Sequence, residues 1–137
     1  LTVRNADLFE GSTSRTFSAN PDAEELAECE RYFYKTFAFT QTPTVAVGNN
    51  QGAERFYTSY ATGGFATKFR QRMHRAPTVV VYNPISSSTG TARDTTNSAD
   101  RTVVVGTAND TGVFVGITTG ATSAENTFHL TADAEIA

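Results

Sequence analysis

Side chains able to do chemistry are few in this sequence, and they lie far apart along it. His74, His129 and Cys29 are its two histidines and its one cysteine. A Ser-His-Asp hydrolase needs a histidine beside a nucleophilic serine, yet no Gly-x-Ser-x-Gly elbow occurs and the serines sit in loop-like runs. A zinc centre wants about four ligands at short paired spacings. Neither histidine has such company, so both are expected to be structural. Asp94, Asn97 and Asp100 offer oxygens of the kind calcium takes, but without the spacing and closing bidentate acid of a dedicated loop, and a solvated turn is expected there. Glycoside hydrolysis needs two facing carboxylates in contrasting environments, whereas Asp133 and Glu135 share one strand face. No catalytic residue, metal ligand or cofactor is assigned, and the chain is expected to be non-enzymatic.

Binding chemistry has better candidates. Over residues 65–74, Phe65, Phe69 and Met73 fall on one face of an alternating pattern and Lys68, Arg70, Arg72 and His74 on the other. Lys68, Arg70 and Arg72 then form a row of like charge that something must answer. The preferred answer is internal: Asp133 and Glu135, on a neighbouring strand or across a subunit boundary, each pair contributing about 0.2 to 1 kcal/mol. The alternative is an anionic glycan held by arginine forks. Tyr57 and Tyr60 are candidate sugar-stacking residues. With Tyr32, Tyr34 and Tyr82 they also suit the ordinary role of buried tyrosines with satisfied hydroxyls.

The elements that must position these residues follow from periodicity. Asn20 can cap a helix, Pro21 suits its first position, and Asp22, Glu24 and Glu25 place negative charge at the positive end of its dipole. Leu26, Cys29 and Phe33 make one narrow apolar stripe, so this helix is expected to lie across a sheet with Cys29 buried and inert beneath it. Segments 32–39, 54–61, 65–74, 78–82, 91–93, 102–105, 112–118 and 128–136 read as strands, with a hairpin at 107–111. Pro77 interrupts the ladder, and the valine-rich 78–82, apolar on both faces, is expected to be covered on both sides. Along 128–136, Phe128, Leu130, Ala132, Ala134 and Ile136 alternate with His129, Thr131, Asp133 and Glu135, whose face reads as outward. The result is a mainly β protein, a β-sandwich or jelly-roll-like domain with one short N-terminal helix. Residues 1–21 read as a lead-in strand and linker and 22–137 as a single β-sandwich module.

Bulk properties narrow the partners. At 137 residues the chain suits one domain, and one cysteine excludes an internal disulfide. A net charge of −3 argues against nucleic acid, which needs a concentrated basic surface. No apolar run reaches the length of a membrane span and residues 1–5 lack the regions of a signal peptide, so no membrane insertion is expected. The start at Leu1 rather than Met is what a fragment or processed product would have. Segments 32–39 and 78–82 carry more apolar surface than one core needs, which predicts self-association.

Four stretches resemble a C-terminal module of structural proteins of tailed bacteriophages, of the tail-fibre or receptor-binding type. Leu8-Phe9-Glu10-Gly11-Ser12 with Thr16-Phe17 and Pro21 is similar to the end of the jelly-roll domain that precedes the module. Glu24-Glu25-Leu26-Ala27-Glu28-Cys29-Glu30-Arg31-Tyr32-Phe33 resembles its acidic helix and Cys-x-Arg-Tyr-aromatic signature. Met73-His74-Arg75-Ala76-Pro77-Thr78-Val79 resembles its core motif, and Thr131-Ala132-Asp133-Ala134-Glu135-Ile136 its closing segment. Residues 86–101 match no pattern of the family. The resemblance implies a virion protein, assembled in the host cytoplasm and then extracellular, that binds itself as a homotrimer, other virion proteins and host-surface polysaccharide. It assigns structural roles to Cys29, Arg75 and Pro77 and carries over no catalytic or ligand residue.

Overall fold

The computed structural model describes residues 22–41, 52–59, 63–118 and 123–135. Among them the chain runs α1 (Asp22–Glu30), β1 (Phe33–Lys35), β2 (Glu54–Thr58), β3 (Gly63–Lys68), β4 (Thr78–Tyr82), β5 (Thr91–Asp94), β6 (Ala99–Val105), β7 (Gly112–Ile117) and β8 (Ala124–Asp133). Strands hold 49% of the described residues against 9% for helix, which makes the domain mainly β, and the eight strands join in one curled sheet.

β8 is the strand on which the sheet is built. β1 pairs with its residues 131–133 and β2 with 124–128. β4 pairs with 129–133 and β5 with 126–127. Because β1 and β4 claim the same stretch they lie on opposite edges, and so do β2 and β5. Each edge of β8 thus holds two short antiparallel strands end to end. At the β1 departure, Leu130 is held by one residue: its carbonyl accepts the Thr36 N–H at 3.2 Å and its own N–H donates to Thr36 Oγ1 at 3.1 Å. From β5 the sheet continues through β6 and β7 to β3 at the edge. β6 pairs with β5 through its first half and with β7 through its last three residues, so it carries the curl.

Both faces of β8 are buried. Phe128, Leu130, Ala132 and Ala134 enter the core with Val81, Val103, Val113, Val115 and Ile117. Phe56 stands edge-on to Phe128 at 5.9 Å, and Tyr34 meets Phe69 at 5.5 Å. The face read as outward is buried as well at His129 and Thr131, and only its end, Asp133 and Glu135, is exposed. Phe37 covers it, edge-on to His129 at 5.4 Å, and the Thr36 hydroxyl lies 3.0 Å from His129 Nδ1. The strand covered on both sides is therefore β8 rather than 78–82, where Val81 is buried but Val79 and Val80 are only half so. An antiparallel strand keeps one face open to water unless something covers it, and on β8 the chain that turns out after β1 does so.

Two further expectations are corrected. The aromatic strand is three residues long, because the chain turns out after Lys35, whose ammonium then donates to the carbonyls of Phe39 and Gln41. The helix does not lie on the sheet: Leu26 is 44% exposed, Cys29 is exposed, and the buried helical residue is Glu30. Nine residues with so thin an apolar stripe have little to bury. α1 is instead held by its C-terminal end, where the Arg31 carbonyl accepts from His74 and the Tyr32 carbonyl from Ala134, both at 2.7 Å. No helix among the described residues is long and apolar enough to cross a membrane.

The hairpin between β5 and β6 replaces the expected solvated turn with a buried ion pair. Asp94 is fully buried; Oδ2 accepts from Arg101 Nε at 3.1 Å and Nη2 at 2.9 Å, and the Asn97 backbone and amide donate to the same carboxylate. Asp100 takes the other arginine, Arg93, at 2.9 Å. Burial alone would push the Asp94 carboxyl up, but the hydrogen bonds from Asn97 and Arg101 outweigh it and hold it below its ordinary value of 3.8. Asp94→Ala is expected to cost about 3 kcal/mol in urea unfolding at pH 7, since it leaves a half-buried guanidinium unanswered. With its folded value depressed, the Asp94 contribution is whole above 3.8 and is lost as pH falls through the folded value, so the gap between variant and wild type should close in more acid solution.

Candidate functional site

Three irregular pieces of chain meet at one end of the sheet: the exit of α1, residues 69–77, and the turn 106–111 between β6 and β7. The turn is set locally by Asn109, whose Oδ1 accepts from the Thr111 N–H and hydroxyl and from the Gly112 N–H. Backbone bonds then staple residues 69–73 to it, Phe69 N–H to the Thr111 carbonyl at 3.0 Å and Met73 N–H to the Asp110 carbonyl at 2.8 Å. His74 reaches the helix exit, its ring stacked on Tyr32 at 5.3 Å. Arg75 donates to the Glu135 carbonyl, and Pro77 is buried. Between these pieces lies a cleft of about 380 Å3 lined by Arg31, Gln71, Arg72, Met73, His74 and Asp110.

This arrangement corrects the basic row. β3 stops at Lys68 and pairs with β7, so Arg70 and Arg72 lie beyond the strand and far from any ladder with β8. Neither Asp133 nor Glu135 answers them. Arg70 pairs with buried Glu30 at 3.5 Å, and Arg72 Nε with Asp110 Oδ2 at 2.6 Å. Asp133 turns back on its own chain and accepts the Glu135 N–H. The alternation had a different cause: Phe69 and Met73 reach the core from an irregular segment anchored by backbone bonds, which mimics the period of a strand.

Other candidates separate. Tyr57 is 74% exposed on β2, opposite Glu125, and is free to stack on a ligand; Tyr60 lies outside the described residues. Tyr34 is buried, and Tyr82 is half-buried with its hydroxyl 3.4 Å from Thr131 Oγ1. His74 is exposed at the cleft while His129 is buried in the sheet. Among the described residues no group of three His, Cys, Asp or Glu side chains is placed to hold a metal ion. The chain matches no family model, no curated protein and no solved structure.

Two features escaped sequence reasoning. One is an apolar outer surface on β6 and β7, where Val104 and Phe114, the latter 52% exposed, border a shallow hollow of about 350 Å3 floored by Gly63, Gly64 and Gly116. The alternation of Val113, Phe114 and Val115 could have signalled it. The other is a set of titrating groups beneath the helix exit: Tyr34, Glu30, Glu54 and Arg70. Burial pushes the Tyr34 hydroxyl up, and the charges of Glu54 and Glu30 add to this while Arg70 opposes it. Burial also pushes Glu54 above its ordinary 4.5.

An acid whose folded value is raised binds more protons folded than unfolded, so its ionisation lowers stability as pH rises through that window. Glu54→Gln is accordingly expected to melt higher than wild type at pH 7 and to lose this advantage as pH falls through the raised folded value towards 4.5. Exposure of Cys29 predicts that one equivalent of a thiol reagent labels the native protein as readily as the unfolded one, where a buried thiol would be protected.

Proposed function

We propose that the chain is a non-enzymatic virion module, the C-terminal host-surface glycan-binding and assembly domain of a phage tail fibre, acting as a homotrimer. One observation carries the reading. Three of the stretches that resemble the phage module come together at one junction: Arg31 and Tyr32 of the helix signature, His74 and Arg75 of the core motif, and Ala134 and Glu135 of the closing segment. Motifs far apart in sequence that bond to one another are what a shared module would preserve. The junction opens onto solvent as a polar cleft, which is where a sugar with many hydroxyls can exchange water for protein hydrogen bonds. The curled sheet is read as jelly-roll-like on the same grounds, and the localisation as the virion.

A second reading, a capsid decoration or fibre-capping protein that binds only virion subunits, draws support from the uncharged surface around Val104 and Phe114. Light scattering at micromolar concentration is expected to give a trimer, and a stable monomer would refute the assembly part. On an array of bacterial surface polysaccharides the glycan-binding reading expects selective retention, and a blank array favours the purely structural one.

A further inference from the structure

The composition of the cleft points to its ligand. The chain is net negative, yet Arg31, Lys68, Arg70, Arg72 and Arg75, five of its eleven Lys and Arg, are drawn to this end of the sheet by the bonds described above. Two are answered by carboxylates, Arg70 by Glu30 and Arg72 by Asp110. Arg31 faces the cleft with no ion pair among the described residues; Glu28, one turn earlier, bonds it through the backbone alone. A guanidinium in that position has its donor fork free for a planar anion.

We propose that the cleft binds a saccharide bearing a carboxylate, with Arg31 pairing the carboxylate and Asp110 and Gln71 receiving the neighbouring hydroxyls. The inference rests on the glycan-binding reading and names the substrate class of that same site. Asp110 decides between anions. Its Oδ2 holds Arg72, leaving Oδ1 as an acceptor on the cleft wall, and that negative charge repels a phosphate dianion or a polyphosphate backbone while it accepts from a sugar hydroxyl. A carboxylate carries one charge and a matching plane, and its ring supplies the hydroxyls that Asp110 needs. The volume of about 380 Å3 lies at the small end of the range for ligand pockets, which limits the contact to a residue or two of a longer chain. Arg72, held at its Nε, still has most of its side chain in solvent and adds a second, screened attraction at the rim.

The test is calorimetric titration of the full chain with oligosaccharides carrying glucuronate, galacturonate or sialate, each beside its methyl ester, with a neutral oligoglucan and inorganic phosphate as further probes. The acid form of at least one is expected to bind, and its ester to bind about tenfold or more weakly, because a hydrogen bond to a charged partner is lost. Arg31→Ala should lose a similar factor while its melting curve overlays wild type, since its side chain holds no structural partner among the described residues; Arg31→Lys should recover part of the binding. Asp110→Asn should weaken the sugar and strengthen phosphate. Equal affinity for acid and ester, undiminished binding by Arg31→Ala, or phosphate binding tighter than every acid sugar would overturn the inference. Binding of neutral glycan that survives Arg31→Ala overturns this inference and leaves the broader glycan reading standing. No binding of any saccharide sinks both.

Discussion

Everything in this domain depends on one strand being hydrogen-bonded along both edges. β8 is ten residues long, and four other strands complete its backbone ladder. Phe37 and its neighbours cover its second face as well, so most of its polar groups are enclosed and bond inside the protein. Asn126 donates to the Ala124 carbonyl and to Thr58 Oγ1, and the Thr36 hydroxyl bridges Leu130 and His129. These bonds are worth little net, but leaving any one of them unmade in the interior would cost about 1 to 3 kcal/mol. They therefore specify register more than they add stability.

The same constraint generates the surface. Two short strands share each edge of β8, so the chain leaves the ladder partway along. One departure, at Thr36, turns outward over His129; the other, after Tyr82, bridges to Thr89 and returns as β5. Residues 69–77 form a third irregular path, between β3 and β4. They are fixed by donating backbone N–H groups to the β6–β7 turn and to the helix exit, and by sending Phe69 and Met73 into the core. With its apolar side chains inward, the segment has to present its arginines outward, which is how a net negative chain acquires a basic end.

Function is read from a site rather than from a fold. The cleft joins a free guanidinium, a paired one and a carboxylate on a frame of backbone bonds. That combination suits recognition of a polar, weakly anionic surface. The exposed Phe114 surface, on β7 beside the edge strand β3, suits contact with protein instead. The two kinds of surface occupy different strands.

By itself the sequence determined the class of fold and the position of most elements. The start of α1, the β6–β7 hairpin and the short strand at 91–93 were legible because capping residues, turn residues and alternation are local signals. It also marked Arg72 as a binding candidate. What it could not decide was which strand would lie in the middle, because alternation reports one buried face and says nothing about the other. His129 and Thr131 read as outward, and Phe37 and Tyr82 cover them. Ion-pair partners were equally out of reach: Asp110 sits 38 residues from Arg72, and Glu30 precedes Arg70 by a comparable span, so only the stapling of residues 69–77 to the β6–β7 turn and the helix exit brought them together. Asp94 reads as a loop acid until Arg101 is placed beside it by the register of β5 on β6. Arg31 gained its cleft the same way, since a helix too thin to bury a face is oriented by what its last carbonyls can reach.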